Sequence, residues 1–405
     1  MAKTIAILGA LDTKGDDIAF LRREITQRGC ETLVIDFSVI GEPAFDADIP
    51  REEVARIGGA DHAALVQKAD RGEAMTVMAN AVCETVRRLY DQGRIDGVIS
   101  MGGGGGTSVA TTAMRALPVG FPKVMVSTLA AGDVSGFVGI SDIVMIPSVI
   151  DVNGVNRISR LIYTNAAGAI CGMVTGSSEH LDDKPLIAVT MFGNTTRAVN
   201  YAKPILEAAG YEVLVFHATG TGGRTMEALV ADGLISGVLD LTTTEWADEL
   251  LGGVLSAGPG RLEAAGKAGI PQIVVPGCLD MCNFWAPETI PEKYRHRLFY
   301  HWNPNVTLMR TTVEENARLG MIFAGKLNAA TGGTEVYIPL RGWSEIDLEG
   351  KPFHDPAAIT AFTQALKSHL RPDIPVYEMD LDINDPAFAQ AVANALLHLL
   401  RIKDK

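Results

Sequence analysis

Gly102-Gly103-Gly104-Gly105-Gly106-Thr107-Ser108 is the stretch of this sequence best suited to chemistry. Residues without side chains let backbone N–H groups come close to a ligand and take positive φ, and a helix opening there adds partial positive charge. An anion, above all a phosphate, is the natural guest. Thr107 or Ser108 can cap the helix and also donate to a phosphate oxygen. The run is not a Walker A loop, because no lysine follows its last glycine. A ligand-free turn is the alternative, but a run of five glycines carries an entropic cost that a turn alone does not require.

Asp12-Thr13-Lys14-Gly15 follows the first strand-like segment at another helix start. Lys14 can meet a phosphate as a point charge, and Asp12 can hold a hydroxyl or a metal ion. The alternative is a Thr13 cap with Lys14 in solvent. Asp36 ends the second strand, where ribose hydroxyls are often held. The first turn, Gly9 to Gly15, lacks the G-x-G-x-x-G spacing of an NAD-type site.

The second half has its own set. Gly193-Asn194-Thr195-Thr196-Arg197 and Thr219-Gly220-Thr221-Gly222-Gly223-Arg224 each follow a strand, and the latter is a phosphate- or carboxylate-sized nest with an arginine. Asn194, Thr195, Gly222, Gly223, Arg224 and Glu245 form a second candidate anion site, with His217 beside it. Glu245 and Asp248 lie on one face of a helix start and can share a metal or a proton, or simply cap the helix. Cys278 and Cys282 are spaced one residue wider than C-x-x-C with no second pair, so buried or pocket-lining thiols are expected rather than zinc or an iron–sulfur cluster. No metal ligand set is assigned.

These loops need parallel strands to hold them at one edge. Thr4–Leu8, Glu31–Asp36, Gly97–Met101 and Lys123–Ser127 read as buried strands, with helices over Asp16–Gln27 and Thr107–Leu117. Between Phe45 and Gly93 three helical segments (50–56, 60–69 and 73–91) form an excursion without a clear strand. The grammar restarts after the polar stretch Gly176–Pro185, with strands Leu186–Met191 and Glu212–Phe216, and ends in helices Pro356–His369 and Pro386–Arg401. The expected fold class is α/β: two Rossmann-like domains, residues 1–180 and 181–405, with mostly parallel sheets.

With 405 residues, 47% apolar and 20% charged, the chain can bury two cores. A net charge of −13 argues against a nucleic-acid or anionic-membrane surface. No signal-peptide pattern precedes the first strand and no uncharged apolar run reaches membrane length, so a cytoplasmic protein is expected. Trp285, Trp302 and Trp343 offer aromatic surface for a homo-oligomer, a dimer or higher.

Leu11–Lys14, Gly102–Ser108, Phe192–Thr196, His217–Arg224, Gly277–Met281, Asn303–Thr312 and Pro339–Ser344 resemble the ATP-binding domain family of the tomato mosaic virus resistance protein and its bacterial relatives. The matching motifs span nearly the whole chain. The resemblance implies an N-terminal Rossmann-like domain that binds ATP with Mg²⁺, and a second Rossmann-like domain after it. Its nucleotide contacts would come from Thr13, Lys14 and Gly103, Gly104, Gly105, Gly106 and Thr107, with Asp12, Ser38 and the helix start at Arg71, Gly72 and Met75 beside them. Two functions stay open: an ATP-binding module with little turnover, or an ATP-dependent ligase, kinase or hydrolase acting on a small anionic metabolite in the C-terminal domain.

Overall fold

Near-continuous apolar strands alternating with amphipathic helices cannot bury both faces of a sheet unless the helices cover each side, which makes the sheet parallel and doubly wound. In the computed structural model the chain forms two compact units, Met1–His180 and Leu181–Lys405. The structure describes residues 2–68, 70–176 and 184–403, with the Arg71 side chain left aside; most of the expected linker 176–185 falls outside them.

The first unit runs β1 (Thr4–Gly9), α1 (Leu11–Thr26), β2 (Glu31–Asp36), α2 (Arg51–Ile57), α3 (His62–Lys68), α4 (Arg71–Asp91), β3 (Gly97–Gly102), α5 (Gly104–Arg115), β4 (Lys123–Ser127), α6 (Ser135–Val138), β5 (Val144–Pro147) and α7 (Arg157–Thr175). Its five strands pair in parallel in the order β2-β1-β3-β4-β5. One face packs Leu8, Val98 and Met125 against Met78, Val82 and Met114; the other packs Ile7, Ile99 and Val126 against Ile18, Leu21 and Ile170. Each such side chain contributes roughly 1.5–3 kcal/mol by leaving water. The three expected helices of the excursion are all present. β5 and α7 appear where the sequence reading assigned no element; an Asn156–Ser159 capping box starts α7.

The second unit runs β6 (Leu186–Met191), α8 (Thr196–Ala208), β7 (Glu212–His217), α9 (Thr221–Ala231), β8 (Gly237–Thr242), α10 (Glu245–Leu251), α11 (Ala264–Ala268), β9 (Gln272–Gly277), β10 (Met281–Phe284), β11 (Phe299–Asn303), β12 (Val306–Arg310), α12 (Val313–Leu327), β13 (Thr334–Pro339), α13 (Pro356–His369), β14 (Val376–Met379) and α14 (Pro386–Lys403). Six parallel strands pair in the order β14-β13-β9-β8-β6-β7. A separate antiparallel sheet, β10-β12-β11, is inserted between β9 and α12 and was not expected from the sequence.

Both parallel sheets reverse direction of growth beside their first strand, between β1 and β3 and between β6 and β8. Diverging loops leave a crevice at such a switch point, beyond the carboxyl ends of the strands. Among the described residues no helix is long and apolar enough to cross a membrane.

Candidate functional site

At the first switch point a cleft of about 470 Å³ is lined by the loops that leave β1, β2 and β3, from Ala10 to Lys14, Phe37 to Gly41 and Met101 to Gly106, with Met75 of α4 above them. Of the expected residues it gathers Asp12, Thr13, Lys14, Ser38, Met75 and Gly103 to Gly106.

The glycine run differs from expectation in one respect. Its residues have ordinary φ rather than positive φ, and Gly104, Gly105 and Gly106 form the first turn of α5. Gly103 is the N-cap and supplies no side-chain hydrogen bond. The leading N–H groups of a helix have no intrahelical acceptor, so this end presents donors and partial positive charge to the cleft. A Cβ built on Gly103, Gly104 or Gly106 would meet nothing nearer than 3.8 Å. Neither backbone angle nor internal packing therefore requires glycine at these three positions.

Thr107 is not at the cleft. It is fully buried, its hydroxyl pairs with Ser127 Oγ at 2.7 Å, and its N–H donates to Gly103 O. One helical turn past the N-cap, its side chain points to the sheet. Gly72 is exposed outside the lining, and the Arg71 side chain lies outside the described residues.

Asp36 does not face a ribose. It is 1% exposed, and its carboxylate accepts from Leu11 N, Ser38 N and Ser38 Oγ at 3.2, 2.9 and 2.9 Å. Burial holds its carboxyl above the usual range, against the pull of those donors. Its work is to tie the β1 and β2 loops together. Asp12 adds to this through Gly41 N at 3.1 Å, and Lys14 Nζ donates to the Val152 carbonyl. Lys14 breaks the helical dihedrals of α1 (φ −125°, ψ 17°).

Sequence reasoning missed Arg51, which is 9% exposed and donates to Ser38 Oγ and the Gly41 carbonyl. His62 Nε2 lies 3.0 Å from Ser38 O. Nothing in their local sequence marks them; neither lines the cleft, and they brace its Ser38–Gly41 loop because α2 and α3 fold back beside β2. For the implied Mg²⁺, Asp12 is the one carboxylate in the lining, and no cluster of three His, Cys, Asp or Glu exists among the described residues. That donor set fits Mg²⁺ carried on phosphates and water with at most one protein carboxylate, its usual mode with nucleotides.

In the second unit the glycine nest is already filled, by the protein's own carboxylate. Gly220 N and Gly223 N donate to Glu245 Oε1 at 2.7 and 3.0 Å. A Cβ on Gly223 would fall 2.2 Å from Glu245 Oε2, so this glycine is required by close approach. Glu245 Oε2 takes Arg261 Nε at 2.7 Å, and Arg261 forks onto Asp240 at 2.5 and 2.6 Å. Arg261 and Asp240 are 1% and 2% exposed. Glu245 is thus committed to a buried ion-pair knot rather than to a metal or proton shared with Asp248. Thr195 bonds Thr242 Oγ1 at 2.8 Å and is structural. Cys278 and Cys282 are fully buried, with their thiols pushed up by burial. Trp343 is also fully buried, which removes it from the expected aromatic surface. Asn194 and Arg224 do line a second crevice.

Asp248, fully buried, is pushed up to about 7 by burial, opposed by hydrogen bonds from Asn283 and Leu255 N. An acid whose folded pKa exceeds its unfolded value near 3.9 binds its proton more tightly when folded, so stability is lost as pH rises from about 4 through about 7. The unfolding midpoint of the second unit is therefore expected to fall more steeply between about pH 4 and 7 in the native sequence than in Asp248→Asn. Parallel slopes in thermal melts would contradict this.

Residues 3–179 match the N-terminal domain, and residues 184–400 the C-terminal domain, of the uncharacterised protein family UPF0261. A UPF0261 protein of Clostridium tetani is 52% identical over 402 residues, covering 99% of this chain and all of that one. One from Rhizobium meliloti is 47% identical, covering 97% and 98%. The ToMV resistance protein Tm-1(GCR237) of Solanum lycopersicum is 38% identical over 97% of this chain, which spans 55% of that protein. The relationship to the tomato resistance protein and its bacterial relatives, drawn from the motifs, therefore holds over nearly the whole chain.

Proposed function

The chain belongs to the UPF0261 family, and on that premise we propose that its N-terminal unit binds MgATP in the cleft at the β1/β3 switch point. One observation carries this reading. Gly103, Gly104 and Gly106 at the start of α5 are required by neither dihedral angle nor packing, yet they leave an uncapped helix end bare toward a cleft of nucleotide size. The phosphates would lie on the α5 amides with Lys14 beside them. Phe37, Val39, Ile40 and Met75 offer an apolar wall for the base, and Mg²⁺ would neutralise phosphate charge with Asp12 as its one protein carboxylate.

Calorimetric titration with MgATP, AMP and NAD tests it. MgATP is expected to bind at least about tenfold more tightly than AMP, which lacks the outer phosphates, and Lys14→Ala to weaken MgATP by about tenfold. Failure of all three ligands to bind would refute the reading. An ATP-dependent enzyme acting on a small anionic metabolite is the second reading, favoured by Arg224 in the crevice of the other unit. Release of ADP or AMP on adding small carboxylates would decide for turnover.

A further inference from the structure

The crevice of the C-terminal unit, about 540 Å³, opens beyond the carboxyl ends of β6 and β7 and is walled on another side by the antiparallel sheet β10-β12-β11. Its walls are aromatic: Phe192 on the loop after β6, Trp285 just past β10, and Trp302 on β11. Trp285 and Trp302 are 50% and 45% exposed, whereas Trp246 and Trp343 are buried. Large rings held half in water at a concave surface suit a flat apolar guest.

The polar groups in the same lining are selective. Asn194 and Asn283 are 1% and 0% exposed, and the Oδ1 atom of each has no hydrogen-bond partner among the described residues. Asn283 is oriented by its Nδ2, which donates to Asp248 Oδ2 at 2.7 Å, leaving Oδ1 as the unused acceptor. A buried acceptor left unmade costs roughly 1–3 kcal/mol, so a donor brought within reach of either oxygen would stabilise it. Asn194 sits in a short turn whose backbone is held by Asn384, which donates to its carbonyl at 2.9 Å.

Arg224, at the start of α9, is exposed, and among the described residues its one side-chain hydrogen bond is to Thr221 Oγ1 at 3.5 Å. The lining contains no carboxylate to oppose it. Because Glu245 consumes the amides of Gly220 and Gly223, the anion-binding groups that remain in the lining are that guanidinium, the His217 imidazole and the leading amides of α9. A single negative charge matches this better than a phosphate dianion, for which the nest would be needed.

We propose that the C-terminal crevice binds an aromatic monocarboxylate carrying hydroxyl or amino donors. Its carboxylate engages Arg224, its ring stands between Phe192, Trp285 and Trp302, and its donors satisfy Asn194 Oδ1 and Asn283 Oδ1. The assignment rests on the C-terminal unit alone, so it stands or falls independently of nucleotide binding at the other cleft.

Titration of the full chain with 4-hydroxybenzoate, 3,4-dihydroxybenzoate and 4-aminobenzoate, followed by tryptophan fluorescence and calorimetry, tests the proposal. At least one of them is expected to bind with Kd below about 1 mM and to perturb the emission of Trp285 and Trp302. Benzoate, which lacks the donors, and catechol, which lacks the carboxylate, are each expected to bind about tenfold or more weakly. Arg224→Met, an exposed substitution, should erase the preference for dihydroxybenzoate over catechol while leaving catechol binding unchanged; Trp302→Ala should weaken all of them. No binding by any of the three acids would overturn the proposal. So would equal binding of benzoate, indifference to Arg224→Met, or binding of inorganic phosphate in place of the acids.

Discussion

Gly104→Ala is expected to stabilise the N-terminal unit while weakening MgATP binding by about 10- to 100-fold. The two halves of this prediction have separate causes. Gly104 is the first helical residue of α5, its φ is ordinary, and a Cβ there would meet only Leu129 Cδ1, at 3.8 Å. Alanine gives up less backbone entropy on folding, so stability should rise by up to about 1 kcal/mol. On the proposed reading the added methyl crowds a phosphate seated on the α5 amides, and a lost hydrogen bond to a charged group costs about 1.5–3 kcal/mol. Gly104→Val should weaken binding further. Opposite signs in thermal melts and calorimetry are diagnostic. If alanine lowers both stability and affinity, the glycine serves the fold; if affinity is unchanged, the phosphates do not sit on α5.

Arg261→Met is expected to destabilise the C-terminal unit by about 3–5 kcal/mol, the usual cost of leaving a buried charge without its partner. Arg261 forks onto Asp240, reaches Glu245 through Nε, and touches Glu227 at 3.2 Å. Removing it strands Asp240 and Glu245, both at most 2% exposed. Arg261→Lys should recover only part of the loss, because one ammonium cannot serve the Asp240 fork and Glu245 together. Denaturant unfolding of each variant checks the size, with MgATP affinity at the N-terminal cleft as the control for that unit. A loss below about 1 kcal/mol for Arg261→Met would mean that water reaches the knot and stabilises the stranded carboxylates.

The site was legible in the sequence to the extent that its parts are local. A strand, a glycine-rich turn and a helix start are written within about ten residues, so Lys14, Ser38 and the Gly103–Gly106 run were found and do meet in one cleft. Thr107 was misplaced because helix phase, read from where the glycines stop, begins three residues too late; α5 starts at Gly104. Asp36 and Glu245 were misassigned for another reason. Each sits where a ligand-binding carboxylate would be, but its partners are donors on other loops, Leu11 N for one and Gly220, Gly223 and Arg261 for the other.

The sequence by itself determined the α/β class, the family and the glycine-rich loops, because strand pattern, glycine clusters and helix starts depend on neighbouring residues. Only the tertiary structure decided which glycine loop is filled from within the protein and which is not. The Gly220–Gly223 nest holds Glu245, while the α5 terminus was left bare. It alone also placed Asn283, Trp285 and Trp302 opposite Arg224, through the antiparallel sheet β10-β12-β11. The physical reason is range: a buried polar group takes whichever partner the packing of distant segments brings within about 3 Å, and spacing along the chain does not encode that meeting.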